Sequence, residues 1–322
     1  MKTVSILVLE NAVIQAIADP QYCFEAVNQF FIQAGKQAPF NVQLVGMKNE
    51  VKLNSGGYTV HCNKLLKDVK NTDLIFIPAL FGDMQQALES NQKVIPWIVE
   101  QYHKGAEVAS LCVGAFLLAA TGLIDNKKCS THWGFENQLK QMFPSIDIQN
   151  GCIITEENRI YSSGGANSYW NLLLHIVEKY TNRDTAILTS KYFAIDINRN
   201  SQAAFALFQG QKSHTDDLVK KAQTYIETNV EKKITVDELA ASVAMGRRSF
   251  ERRFRKATNN SVLEYIQRVK IEAAKRNLES TLQNVNEVMF NIGYTDTKAF
   301  RTLFKKNTGL TPIEYRNKYN KV

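Results

Sequence analysis

No apolar run in this chain is long enough to span a bilayer. No signal peptide is legible either. MKTVSILVLENAVIQ has one early Lys, and its short apolar stretch is broken at Glu10. Those residues read as a first β-strand. Cysteine is scarce and unpaired: Cys23, Cys62, Cys112, Cys129 and Cys152 are odd in number and lack a CxxC spacing. That argues against a zinc site or a disulfide framework and fits reduced thiols in the cytoplasm.

What is present suffices for two domains with separate cores in 322 residues. A hydrophobic share of 44% with 22% charged is that of an ordinary soluble globular protein. The net charge of +8 is unevenly placed. Residues 1–210 carry 17 basic and 18 acidic side chains, a net of −1; the last 112 residues carry 22 and 13, a net of +9. Such asymmetry points to an acidic partner for one domain only, nucleic acid first among candidates; a solvated lysine-rich surface would give the same count.

In the first two hundred residues apolar runs alternate with amphipathic stretches. VSILVL (4–9), NVQLVG (41–46), DLIFIPAL (73–80) and AEVASL (106–111) read as buried strands. CFEAVNQFFIQAG (23–35) and QKVIPWIVEQYHKG (92–105) read as helices, and VKLNSGGYTVH (51–61) as a hairpin around Gly56-Gly57. Strands without polar alternation, separated by helices, imply an α/β domain: a parallel sheet covered on both faces, flavodoxin-like. Ligands of such sheets bind at the carboxyl ends of strands. Phe81-Gly82 lies at one such end and Cys112 at another.

SLCVGAF (110–116) has the form of a strand, a sharp turn and a helix, as where a turn carries a nucleophile. A helix N-terminus lowers a thiol's pKa, so Cys112 could be a nucleophile or a redox sensor. It could equally be a buried cysteine that packs. Over roughly residues 3–190, through SLCVGAFLLAATGLIDNKKCSTHW, the chain resembles the PfpI/ThiJ type of class-I glutamine-amidotransferase-like domains. In hydrolytic members of that type a His directly follows the elbow cysteine, and an acid follows the first strand. Here Val113 holds the His position, and Ala12 to Ala18 contains no carboxylate. His132 lies some twenty residues on and reaches Cys112 only if its loop folds back. The turn is therefore read as one wall of a ligand pocket formed by Cys112, Val113, Gly114, Phe81, Gly82, His132 and Trp133. No catalytic residue, metal or cofactor is assigned.

The last hundred residues contain a repeat at an offset of 50: SFERRFRKATNNSVLEYIQR (249–268) over AFRTLFKKNTGLTPIEYRNK (299–318). Phe250 and Phe254 match Phe300 and Phe304, Thr258 matches Thr308, and Glu264-Tyr265 match Glu314-Tyr315. Upstream the offset is 49, so one residue is inserted at a turn. Each copy reads as an amphipathic helix, a glycine turn and a basic second helix, which is a helix-turn-helix. Phe at i and i+4 fixes the inward face of each second helix. The outward faces then carry Arg248, Glu251, Arg252 and Arg255, and Lys298, Arg301, Thr302 and Lys305.

About residues 215–320 the chain resembles the AraC/XylS family, through RRSFERRFRKAT, EYIQRVKIEAAKRNL and GYTDTKAFRTLFKKNTGLTPIEYR. Gly246 departs from that pattern, which usually has a capping Ser there. SVLEYIQRVKIEAAKRNLE joins the two units as one rod of roughly 25 Å. Helical phase assigns base reading to Arg248, Glu251, Arg252, Lys298, Arg301 and Thr302. It assigns phosphate contact to Arg247, Arg255, Lys305 and Lys306. The expected organisation is a sensor domain over 1–195, a linker over 196–215 and an all-α domain with two helix-turn-helix units over 216–322. That combination resembles the GlxA-like transcriptional regulators. The resemblance implies a cytoplasmic homodimer that senses a small metabolite, binds double-stranded DNA, contacts no membrane and has RNA polymerase as a further partner.

Overall fold

The computed structural model describes residues 1–53, 56–197, 201–208, 210–212 and 214–320. The chain divides into two compact units, Met1–Gln202 and Ala203–Val322.

The first unit holds strands β1 (Lys2–Val8), β2 (Phe40–Gly46), β3 (Glu50–Leu53), β4 (Tyr58–His61), β5 (Lys64–Leu65) and β6 (Leu74–Ile77). It continues with β7 (Glu107–Leu111), β8 (Lys128–Cys129), β9 (Asp147–Ile148), β10 (Ile154–Glu157) and β11 (Ile160–Ser163). Seven strands form one sheet in the order β10-β11-β7-β6-β1-β2-β5, with β3–β4 and β8–β9 as separate pairs. Every pairing in the large sheet is parallel except β10 with β11. The apolar strand reading follows from burial on both faces: all four residues of β6 are buried, as are Val4, Ile6 and Leu7 of β1. The chain leaves β1 for β2 in one direction and enters β6 on the other side. Right-handed crossovers then set helix Gln15–Gln33 on one face and helix Ile95–His103 on the other.

Three elements differ from the sequence expectation. The first helix begins at Gln15 rather than residue 23 and passes through Pro20. Ala16, Ile17 and Pro20 are buried on its inner face, and that packing outweighs the one backbone hydrogen bond Pro20 cannot donate. A further helix, Met84–Asn91, precedes the expected one; Asp83 caps it by accepting from the Gln86 N–H at 2.9 Å. The polar strands β10 and β11 (ITEE and IYSS) were not legible as strands. Their hydroxyls are paired inside: Thr155 Oγ1 and Ser162 Oγ lie 2.5 Å apart, and Ser162 Oγ accepts from Ser130 N–H at 2.7 Å.

The second unit has two small cores threaded by one helix, Val262–Ser280. Tyr265, Ile266 and Val269 serve the first core, with Val219, Ile226, Leu239, Phe250 and Phe254. Ile271, Ala274 and Leu278 serve the second, with Val288, Met289, Phe300, Phe304 and Tyr315. The duplication extends further than the linear match. Val219, Ala222 and Ile226 of helix Asp217–Thr228 correspond, at an offset of 52, to Ile271, Ala274 and Leu278. Tyr265 donates its hydroxyl to Glu227 at 2.6 Å, and Tyr315 does the same to Glu279 at 2.5 Å. Each repeat is therefore four helices: the long rod serves as the last helix of the first repeat and the first of the second, and Pro312–Tyr319 closes the second.

Lys270 sits between the two cores, 5% exposed. Its Nζ donates to the carbonyls of Val230 at 2.8 Å, Lys232 at 2.9 Å and Ile292 at 2.7 Å. Burial lowers its pKa, but all three ammonium donors are met. Gly293 (φ 74°) has room for no side chain here: a Cβ would stand 2.3 Å from the Glu231 carbonyl. The expected linker 196–215 is held by side chains where it is described. Gln202 is buried in the first unit. In the second, Lys275 donates to the Ala206 carbonyl at 2.6 Å, and Phe208 meets Tyr265 edge to face at 5.1 Å. Residues 198–200, 209 and 213 lie outside the described residues.

Replacing Lys270 by Met strands three buried carbonyls. Chemical denaturation should show the second unit losing about 3 kcal/mol. A loss below about 0.5 kcal/mol would mean the three bonds do not tie the repeats together.

Candidate nucleic-acid interface and ligand cavity

Each repeat contains a helix-turn-helix pair. In the first, Val236–Ser242 is followed by Arg247–Thr258; in the second, Val285–Asn291 is followed by Thr297–Thr308. The turns are four residues (243–246) and five residues (292–296), so the inserted residue lies in the turn. Capping boxes start the first helix of each pair, Thr235 with Glu238 and Asn284 with Glu287. The second helices start differently. Gly246 offers no side-chain cap, whereas Asp296 accepts from the N–H groups of Lys298 and Ala299.

Phe250, Phe254, Phe300 and Phe304 are fully buried, which fixes the phase of both second helices. Arg248, Arg252 and Arg255 are exposed, as are Lys298, Arg301, Thr302, Lys305 and Lys306. Among the described residues, none of these cations has an ion-pair partner within 4.0 Å. Arg247 differs: it pairs with Asp237 at 3.0 Å and Glu251 at 3.3 Å. Glu251 is thus engaged on the protein's own surface. Arg253, which helical phase did not single out, pairs with Asp216, the cap of helix Asp217–Thr228.

In the first unit a cavity of about 930 Å³ opens at the carboxyl ends of β1, β2 and β6. Its walls are residues 10–15, Lys48, residues 50–53, Tyr58, Phe81 and Gly82. The strand order reverses between β1 and β6, which is where ligands of doubly wound sheets bind. Of the seven expected pocket residues, Phe81 and Gly82 line this cavity. Cys112, Val113, Gly114, His132 and Trp133 do not.

Cys112, Val113 and Gly114 form the elbow after β7, and His132 and Trp133 lie in the segment after β8. Cys112 holds φ 54° and is 6% exposed. Its N–H lies 3.4 Å from Ser163 Oγ, and its carbonyl accepts from Thr131 Oγ1 at 3.2 Å. Burial pushes the thiol up to about 11, although the Val113 N–H favours the thiolate. Gly114 packs so closely that a Cβ would stand 2.6 Å from the Pro78 carbonyl. His132 Nδ1 accepts from Gly134 N–H at 3.1 Å, and the ring lies on Trp133 at 5.1 Å. Burial lowers its pKa, so the imidazole is neutral at pH 7. A carboxylate does follow β1, one residue beyond the stretch 12–18. Asp19 Oδ2 accepts from Tyr169 Oη at 2.6 Å and Trp170 Nε1 at 3.1 Å. Among the described residues no histidine or carboxylate hydrogen-bonds Cys112, and no group of three His, Cys, Asp or Glu side chains suits a metal ion. Among the same residues no helix is long and apolar enough to cross a membrane.

Residues 22–179 match the DJ-1/PfpI family, and residues 239–318 match a helix-turn-helix domain. The chain carries a DJ-1/PfpI domain followed by an AraC-type helix-turn-helix domain. It is 26% identical over 223 residues to the HTH-type transcriptional regulator GbdR of Pseudomonas aeruginosa, covering 69% of this chain and 60% of that protein. It is 22% identical over 217 residues to the HTH-type transcriptional regulator GlxA of Rhizobium meliloti, covering 66% of each. The chain thus spans about three-fifths of the length of GbdR. An AraC family transcriptional regulator from Pseudomonas putida shares the fold at 16% identity and TM-score 0.51, over 60% of this chain and 100% of that one.

A thiol held near 11 is almost wholly protonated at neutral pH, and its reactive form grows only as the pH climbs towards that value. Iodoacetamide at neutral pH should label half-buried Cys152 at least tenfold faster than Cys112, on the order set by thiolate fraction and access. Mass spectrometry of tryptic peptides reads both rates. Equal rates would show that Cys112 carries an activated thiolate.

Proposed function

We propose that this protein is a sequence-specific DNA-binding transcriptional regulator whose DJ-1/PfpI domain senses a small metabolite without turning it over. One observation carries the reading: two equivalent second helices present exposed cations that, among the described residues, have no ion-pair partner within 4.0 Å. The net charge of +9 in the last 112 residues supports it. So does the similarity to proteins named as transcriptional regulators.

In this reading Arg248 and Arg252 take guanine edges in one major-groove segment. Lys298, Arg301 and Thr302 work in the next. Arg255, Lys305 and Lys306 sit one turn further along and meet phosphates. Glu251 is assigned to cytosine only when freed from Arg247; while paired, it presents Arg247 to the backbone. The rod Val262–Ser280 is about 28 Å long, which suits helices one DNA turn apart. The metabolite enters the cavity walled by Phe81, Gly82 and Tyr58. RNA polymerase contact, a homodimer and a cytoplasmic location complete the proposal. The alternative of a cysteine hydrolase is disfavoured by the protonated thiol and by His132, whose Nδ1 accepts from the Gly134 N–H rather than from Cys112.

The test begins with in vitro selection of a duplex by the full chain. Arg252→Ala should weaken that duplex by about 1–3 kcal/mol and relax one base position. Lys305→Ala should weaken all sequences alike and lower the salt slope by about one. A uniform loss for Arg252→Ala would remove its base-reading role.

A further inference from the structure

Gln202 closes the first unit, and its side chain behaves there as a bound ligand. The residue is 1% exposed. Its Nε2 donates to the carbonyls of Thr131 at 2.7 Å and Cys152 at 3.1 Å. Its Oε1 accepts from the Trp133 N–H at 3.2 Å. The seat therefore consists of backbone groups: two acceptors for an –NH2 and one donor for a carbonyl oxygen. That set is complementary to a primary carboxamide. A carboxylate would turn charge towards two carbonyls, and a tertiary amide has no N–H to give.

The floor is equally specific. A Cβ on Gly164 would stand 2.0 Å from Gln202 Nε2 and 2.7 Å from the Thr131 carbonyl. Gly165 (φ 70°) lies beside Oε1, where a Cβ would be at 3.5 Å. The seat adjoins the elbow through two residues: Thr131 Oγ1 donates to the Cys112 carbonyl, and Ser163, just before Gly164, faces the Cys112 N–H. Next to Thr131, the fully buried Ser130 Oγ has no partner among the described residues. The side chain's own backbone is held as well, since Gln202 N–H donates to the Gly151 carbonyl at 2.8 Å.

The residues that follow belong to the other unit. Within it, Tyr319 Oη donates to the Ala204 carbonyl at 3.1 Å, and Lys275 holds the Ala206 carbonyl. Gln202 thus lies two residues before Ala204, the first of these attachments.

We propose that this seat is a primary-carboxamide binding site, filled here by Gln202. A small-molecule carboxamide competing for it releases Gln202 and thereby alters DNA affinity. No covalent bond changes. The second half of the proposal rests on the DNA-binding reading above; the first half does not.

The test is chemical rescue of full-length Gln202→Ala. The variant should unfold about 3 °C lower than wild type in the first unit's transition. Propionamide at about 50 mM, a concentration suited to so small a ligand, should restore at least half the loss. Propionate and N,N-dimethylpropionamide should not, and Gln202→Met, whose side chain fills the seat, should not respond. Absence of rescue, or equal rescue by all three compounds, overturns the site. Should Gln202→Ala not fold, hydrogen exchange on the wild type decides. Propionamide must speed exchange of the Gln202 N–H more than threefold over propionate, and an unchanged rate overturns the proposal. For the coupling, Gln202→Ala must change the dissociation constant for the selected duplex more than threefold. Gln101→Ala, equally buried but bonded to the Val69–Lys70 carbonyls, must leave it within that range. Rescue without a change in DNA affinity keeps the site and overturns the coupling. Failure to select any duplex overturns the DNA-binding reading and leaves the rescue result standing.

Discussion

The ammonium of Lys270 is the one charge on which the second unit's geometry turns. It is buried between two cores that are each too small to be rigid alone. Its three donors go to two carbonyls of the first repeat and one of the second. An amide or hydroxyl has fewer donors and no net charge, so no neutral side chain of similar length could meet all three. The close approach of Gly293 to the Glu231 carbonyl completes the joint. With the rod contributing to both cores, the two second helices share one frame. Any function that needs a set spacing between those helices depends on this joint.

The first unit follows a different logic. Its sheet reverses order between β1 and β6, and the space that reversal leaves is the cavity. The elbow one strand away keeps the left-handed backbone of a nucleophile turn. Burial raises its thiol's pKa, while His132 accepts from the Gly134 N–H and Asp19 accepts from two ring donors. The strained turn instead frames the loops that seat Gln202.

Much of this was legible in the sequence because it is local or periodic. The pairs Phe250–Phe254 and Phe300–Phe304 fix helix phase, and the offset change from 50 to 49 placed an insertion that the structure locates in the turn. The parallel sheet was legible from strands apolar on both faces. Other features were hidden for physical reasons. The first helix of the second repeat is fused into the long rod, so no boundary residue marks it, and its offset of 52 breaks the register. Strands β10 and β11 read as polar because their hydroxyls find partners inside: Thr155 with Ser162, and Ser163 with the Ser110 carbonyl. The start of the first helix at Gln15 was obscured by Pro20, which usually signals an end. Cys112 and Gly114 sit in a motif that announces a pocket, yet their burial depends on packing against β6 and β11, which no local pattern records. Lys270 and Gln202 find their partners 22 to 71 residues away, and nothing in their neighbourhoods distinguishes them from surface lysine or loop glutamine.

The central claim is that one chain presents two helices to successive grooves on one face of DNA. Hydroxyl-radical footprinting of the full chain on its selected duplex tests it most directly. The account predicts two protected tracts on each strand whose centres lie about 10–10.5 base pairs apart, both weakened together by Lys270→Met. A single tract, or two tracts whose spacing varies between duplexes, would contradict a rigid two-helix head.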